Sequence, residues 1–483
     1  MTHCSECGKE LALSSDKCPD CATPIDTGDI LVWAAESGDV VRIREIIEAG
    51  ADVDARNQYS GATALIIAAA WCTSEKASRE VAALLLDHGA QVNARTDDQQ
   101  TALICASGEG RANLVDFLLE RGADIESIDE KGYTALLMAA EKGYSKAIAI
   151  LLDRGADLSA RNKDGSDSLI LASRGGHVEA AGILLDKGAD VNLSDSGGWT
   201  ALMWASAAGH AEVVRLLLLK GADFDVFDQY GATALMKAAR GCHTESVKIL
   251  LESDADVNAR DKSDSTALMR AARAGCTDVV KLLLDRNAQI DYGDEDGVTA
   301  LMSACRSCQA DCVKLLLDSG AAVDSEDEYG RTSLIDACRL GKVHVAKLLL
   351  ERGANVNACD EEGRTPFFWA CTGAAGSQPT GGIHMSPALS RQQMSFNGDR
   401  TIEQPELVEI LLCAKADTNI SDNEGNTPLI EASKRGFTEV VTMLLETGVN
   451  FNAKNNEGIS ALNLALSHGH YELVDLLKQF GAK

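Results

Sequence analysis

The sequence predicts an all-α repeat solenoid of about thirteen helix-turn-helix units with β-hairpin-like connections, preceded by a small cysteine-rich module. Three observations predict it. A Thr-Ala-Leu phrase recurs at 63, 101, 134, 200, 233, 266 and 299, with variants at 167, 332, 365, 427 and 460. The interval is 33 residues at every step from Thr101 to Thr365. Two Cys-x-x-Cys pairs stand within the first 25 residues, outside that period. A fixed period of this length marks a repeat architecture, in which stacked neighbours bury faces that one unit cannot bury alone.

The N-terminal module, residues 1–25, reads HCSECGKELALSSDKCPDC at its heart, with residues 26–28 as a linker. Cys4 and Cys7 form one pair, Cys18 and Cys21 the other, with ten residues between them. Four thiolates so spaced can close a tetrahedral shell around one zinc ion. Gly8 lets the chain turn after the first pair, and Pro19 stiffens the second. The arrangement resembles a short zinc ribbon, with ELALSS as strand and turn. Four filled positions leave none open for catalysis, so the expected Zn2+ is structural. The module's charges, Lys9 and Lys17 against Glu6, Glu10, Asp16 and Asp20, argue against nucleic-acid binding.

The repeats occupy residues 29–483, the first being a weak copy that begins at Asp29. In the copy spanning 231–261, TALMKAAR is a short first helix with Thr233 as its N-cap, and TESVKILLE is a second helix with an apolar face. Glycines such as Gly209 and Gly221 close the two helices of the preceding copy. A turn-rich stretch of the type ADVNARD leads to the next pair. The step from Thr63 to Thr101 carries five extra residues and the step from Thr365 to Thr427 carries 29. The longer interruption, residues 372–404, is rich in Gly, Ser, Gln and Pro and reads as a flexible insertion, with docking through Met385, Met394 and Phe396 as the sharper alternative. Phe367, Phe368 and Trp369 precede it.

The phrases T-A/P-L, AA, G-H, VVxLLL and GADVNA resemble the ankyrin repeat, over about 455 of the 483 residues. The family's frequent His three residues after the Thr is replaced here by Met203, Met236, Met269 and Met302, which suits apolar stacking between repeats. The resemblance implies a curved solenoid whose first helices line a concave face, on the order of 100 Å long at helix-packing distances.

That register interprets the remaining cysteines. In CRSCQADC, Cys305 fills the second Ala position and Cys312 the first Val position, both core positions, and Cys338 and Cys371 repeat the Cys305 column. Cys308 and Cys242 stand where a glycine closes the first helix, so a left-handed backbone is expected there. Fifteen cysteines without a signal-peptide segment suggest a reducing, cytoplasmic setting with free or metal-bound thiols. His177, His210, His243 and His470 recur ten residues after the Thr position, where the resemblance implies a brace for the turn.

A net charge of -28 disfavours nucleic acid and anionic membrane as partners, and no apolar run is long enough to span a bilayer. Within this acidic chain the resemblance implies that the residue seven after the Thr faces the groove. That column holds Arg174, Arg240, Arg273, Arg306, Arg339 and Lys434, with Lys237 and Arg270 one turn earlier. Acidic hairpins lie opposite, at 294–296, 326–328 and 360–362. Two readings stand: these cations pair with neighbouring carboxylates, or they bind an extended acidic segment of a protein partner. No catalytic constellation is visible. The sequence therefore points to a monomeric, non-enzymatic interaction scaffold. The alternative is a non-catalytic regulatory subunit, or a zinc- or thiol-responsive regulator of an associated enzyme.

Overall fold

A computed structural model describes residues 2–3, 10–11, 27–373 and 404–482. The chain divides into two bodies, residues 1–235 with 252–255 and residues 236–251 with 256–483, the division falling inside the helix Ala234–Arg240. Each body is a stack of helix pairs. The described residues hold 26 helices, two per repeat. First helices pack on first helices and second on second within each body, as Ala267–Ala274 does on Ala300–Arg306 and Thr277–Asp285 on Ala310–Asp318. No described helix is long and apolar enough to cross a membrane.

The Thr phrase sets where each first helix begins. Thr299 is extended, and its hydroxyl accepts the backbone N–H of Met302 at 3.3 Å. Thr101, Thr134, Thr200, Thr266, Thr332, Thr365 and Thr427 cap in the same way, and Asp167 and Ser460 replace Thr in the same role. Thr63 is the exception: it makes no cap bond, and its buried hydroxyl has no partner among the described residues. A left-handed residue ends the short helix, as at Gly209 with φ of 78°. The Met column is core throughout, Met203, Met236, Met269 and Met302 all being buried.

The hairpin segments carry the second inter-repeat contact. Asp324 Oδ1 accepts the backbone N–H of Asn355 at 2.9 Å, and Asn258 and Asp291 serve the next repeat in the same way. This explains the Asp or Asn in the GADVNA phrase: an acceptor there satisfies an amide that no helix could use. Asn357 Oδ1 does the same for Asp417, on the far side of the long insertion. The repeats around the insertion are therefore joined by the ordinary bond. The insertion itself, at 374–403, lies outside the described residues. Phe367 and Phe368 are core side chains, and Trp369 Nε1 donates to Asp360 Oδ2 at 2.9 Å.

At the N-terminus, Thr2–His3 pairs antiparallel with Glu10–Leu11. Cys4, Cys7, Cys18 and Cys21 lie outside the described residues. The first helix of the stack starts at Thr27, inside the expected linker.

Cys305, Cys312, Cys338 and Cys371 are buried, and Cys308 is exposed with φ of 58°, as the register implies. The expectation that thiols are free or metal-bound fails at one place. Cys242 and Cys276 form a disulfide, 34 residues apart. The cause lies in the stacking. The ninth residue after one Thr faces the tenth residue after the next. A Cβ added at Gly143 would meet His177 at 2.3 Å, and one at Gly176 would meet His210 at 2.6 Å. Those histidines reach back instead, His177 Nε2 to Glu141 O at 3.0 Å and His210 Nε2 to Arg174 O at 3.1 Å. Where both facing positions are cysteine, a ring and a glycine give way to a bond.

Candidate functional site

The candidate site is the column of cations near the ends of the first helices, and its electrostatics begin in the hairpins. From the Thr134 repeat onward an acid or amide stands five residues before the capping position and folds its own turn, whereas Thr96 takes that place before Thr101. Asp327 Oδ1 accepts the N–H groups of Tyr329 at 2.9 Å and Arg331 at 3.0 Å, and Asp360 and Asp261 hold the same pattern. Such an acid keeps a second oxygen for the side chain four residues after the Thr. Trp204 Nε1 donates to Asp195 Oδ2 at 2.8 Å, and Arg270 pairs with Asp261. The expected acidic rim is thus partly consumed. Asp327 and Asp360 are buried turn caps rather than a free face, because their carboxylates satisfy turn amides.

Repeat ten breaks the rule: its position four is Asp336, a second carboxylate, with a fully buried side chain. Two acids so close need cations. Arg306 comes across from the preceding repeat, with Nη2 donating to Asp327 Oδ2 at 2.7 Å and Nε to Asp336 Oδ2 at 2.5 Å. Arg331 Nε adds a bond to Asp327 Oδ2 at 2.9 Å, and Arg339 Nη2 one to Asp336 Oδ1 at 3.0 Å. Burial opposes charge on Arg306, yet Asp336 and Asp327 hold its guanidinium above the ordinary value. Burial likewise pushes the Asp327 carboxyl up, but hydrogen bonds from Arg331 and from turn amides outweigh it and leave the group below the usual carboxylate range. Asp294, one repeat earlier, is driven upward by burial, which outweighs the turn amides of Val298 and Asp296 and the charge of Arg306.

The expected row of groove cations therefore divides. Arg306 and Arg339 belong to the buried network. Arg174 donates to Glu141 at 2.8 Å and lies 5.5 Å from the Trp204 ring centroid. Arg270 is spent on Asp261, and Lys434 lies 3.6 Å from Glu431. Lys237 is half-buried and engaged. Arg240 and Arg273 differ: both are exposed, and neither makes an ion pair among the described residues. They occupy the same position in consecutive repeats of the second body. An unengaged guanidinium offers five donors in a planar fork suited to carboxylate. These two are the available cations of the column.

Sequence reasoning missed Asp336 and the disulfide. A signal existed for each: an acid in a column that otherwise holds an acid only at Glu431, and a cysteine at position nine answered by one at position ten of the next repeat. Among the described residues no group of three or more His, Cys, Asp or Glu is placed to hold a metal.

No curated protein matches the chain. The family profile described as ankyrin repeats in three copies matches residues 3–96, 31–129, 73–162, 122–195, 151–228, 169–261, 261–327, 319–378 and 400–483. With matches that cover most of its length, the chain belongs to the ankyrin repeat family.

Proposed function

We propose that this protein is an interaction scaffold that binds an extended acidic segment of a partner protein along the groove of its repeats, anchored by Arg240 and Arg273. The observation that carries this reading is the division of the column. Most of its cations are bound to carboxylates of the chain itself, whereas these two stand exposed and uncompensated in a chain of net charge -28. At a spacing of roughly 10 Å per repeat, one extended peptide reaches both. The role is non-catalytic, and the setting is cytoplasmic. The test is fluorescence anisotropy with a labelled oligoglutamate peptide. Wild type should bind in a salt-sensitive manner, and R240E/R273E should not. Equal binding by both proteins would remove the groove from the account.

The N-terminal module belongs to the same proposal as a structural zinc site. Cys4, Cys7, Cys18 and Cys21 would hold one Zn2+. Two observations favour it: the paired Cys-x-x-Cys spacing, and the antiparallel pairing of His3 with Glu10. Metal analysis of protein purified without chelator should find one zinc per chain, lost in C18S/C21S with the repeat helices intact. Zinc-free wild-type protein would reject the site.

A thiol-responsive regulatory role is a second reading, favoured by the Cys242–Cys276 bond.

A further inference from the structure

We infer that Cys242–Cys276 is a reversible redox staple that locks repeat seven to repeat eight and so sets the spacing of the Arg240 and Arg273 anchors. The regulatory consequence rests on the groove reading above. The staple itself rests on geometry alone.

Three observations converge. The bond joins two successive repeats at the point where other repeats use a histidine and a glycine. His470 Nε2, for example, reaches Lys434 O at 3.1 Å, and a Cβ at Gly436 would meet that ring at 2.6 Å. Cys276 Sγ lies 3.4 Å from Ala239 O, so once reduced its thiol can donate to a first-helix carbonyl much as those histidines do. Both the bonded and the reduced interface therefore have a satisfied arrangement. Second, access is asymmetric: Cys242 is exposed and Cys276 is buried. Third, the bond lies beside the anchors, Arg240 two residues before Cys242 and Arg273 three before Cys276. Cys308, the other cysteine at a left-handed position nine, serves as internal contrast. Position ten of its next repeat is Lys342, and Cys308 is a free thiol.

The chemistry is thiol–disulfide exchange with a small thiol of the glutathione class. Its thiolate attacks the Cys242 sulfur. A mixed disulfide forms as the Cys242–Cys276 bond breaks, and the electron pair leaves on Cys276, which takes a proton. A second small thiolate attacks the small-molecule sulfur of that mixed disulfide and frees Cys242, which is protonated in turn. Two small thiols are oxidised to one disulfide while the protein disulfide becomes two thiols. The same steps reversed, with the small disulfide as oxidant, restore the staple. Bonded, the staple removes relative motion of the two helix ends and presents both guanidinium groups in one arrangement, which lowers the ordering cost of a peptide that grips both.

The full chain is equilibrated in glutathione buffers from reducing to oxidising. Non-reducing peptide mapping should show the Cys242–Cys276 cross-link appear and disappear reversibly. Hydrogen exchange at amides 277–283 should be slowed about tenfold in the oxidised form. The labelled oligoglutamate probe should bind the oxidised form about fivefold more tightly. C242G/C276H, which installs the glycine and histidine used elsewhere, should lose the redox response in both measurements. A cross-link absent at every oxidising ratio, or exchange at 277–283 unaffected by it, would overturn the staple. A cross-link that slows exchange but leaves probe binding unchanged would overturn its coupling to the anchors. Peptide binding in neither state, with the exchange difference intact, would reject the groove reading and leave the staple standing.

Discussion

Arg306 Nη2 donates to Asp327 Oδ2 at 2.7 Å across the boundary between repeats nine and ten, and the same guanidinium reaches Asp336 through Nε. One side chain thus bridges two buried carboxylates, which Arg331 and Arg339 also bind. A residue in the position of a groove contact works instead as a bridge between repeats.

Replacing Arg306 by Met should destabilise the second body by about 2–3 kcal/mol, because two buried acids lose a shared cation. D336L should cost less than R306M, and the double variant less than the two singles summed, since removing both charges leaves less charge stranded. Urea melts of the four proteins check this. Additive effects would mean that the two residues are not coupled.

The acid limb of stability should report Asp327. Its folded-state pKa is lowered, so its contribution is present above the ordinary carboxylate value and is lost as pH falls through the folded value. R331M should therefore lower stability at neutral pH and flatten the loss below about pH 4. An unchanged acid slope in R331M would contradict the assignment.

Asp167 has the opposite sign. It caps its helix through Ile170 N–H at 2.8 Å, yet burial raises its pKa, so the charged form is disfavoured in the folded state. Folding gains as pH falls through the folded-state value. D167T, which keeps a cap acceptor without charge, should raise neutral-pH stability by on the order of 1 kcal/mol. The gain should vanish in acid. Loss of stability at pH 7 would refute this.

The caps allow a paired comparison. T299V removes an N-cap bond and should cost about 1 kcal/mol, whereas T63V removes a buried hydroxyl that bonds nothing and should stay within about 0.5 kcal/mol of wild type. Equal costs in thermal melts would show that the hydroxyls do not differ as described.

Thiol reactivity should follow burial. Burial pushes the Cys305 thiol up to about 12, with the Cys338 and Cys371 thiols raised further. Iodoacetamide at pH 8 should label Cys308, Cys359 and Cys413, all exposed, well before those three. Peptide mapping with early labelling of Cys338 would contradict the core placement.

The repeat, its caps and the left-handed cysteines were legible in the sequence because each is a local rule repeated at fixed spacing. Thr299, Gly209 and Met302 each answer to their own helix. What escaped was pairing between repeats. Arg306 and Arg273 occupy one column, yet one is captured and the other exposed, because their partners are set by position four of the following repeat. Asp336 takes Arg306, whereas Ser303 offers Arg273 no carboxylate. The Cys242–Cys276 bond was hidden for the same reason, since neither cysteine is unusual alone. Within the column read from the sequence, Arg174, Arg270, Arg306, Arg339 and Lys434 are engaged with carboxylates of the chain, whereas Arg240 and Arg273 stand exposed.

The central claim is that the captured and exposed arginines of one column do different work. The most direct measurement puts two variants through the same pair of assays. R240A/R273A should melt within about 0.5 kcal/mol of wild type and lose oligoglutamate binding. R306M should melt about 2–3 kcal/mol below wild type and, at a temperature where it is folded, keep that binding. If R306M loses binding while stable, or R240A/R273A binds as wild type does, the division of the column is contradicted.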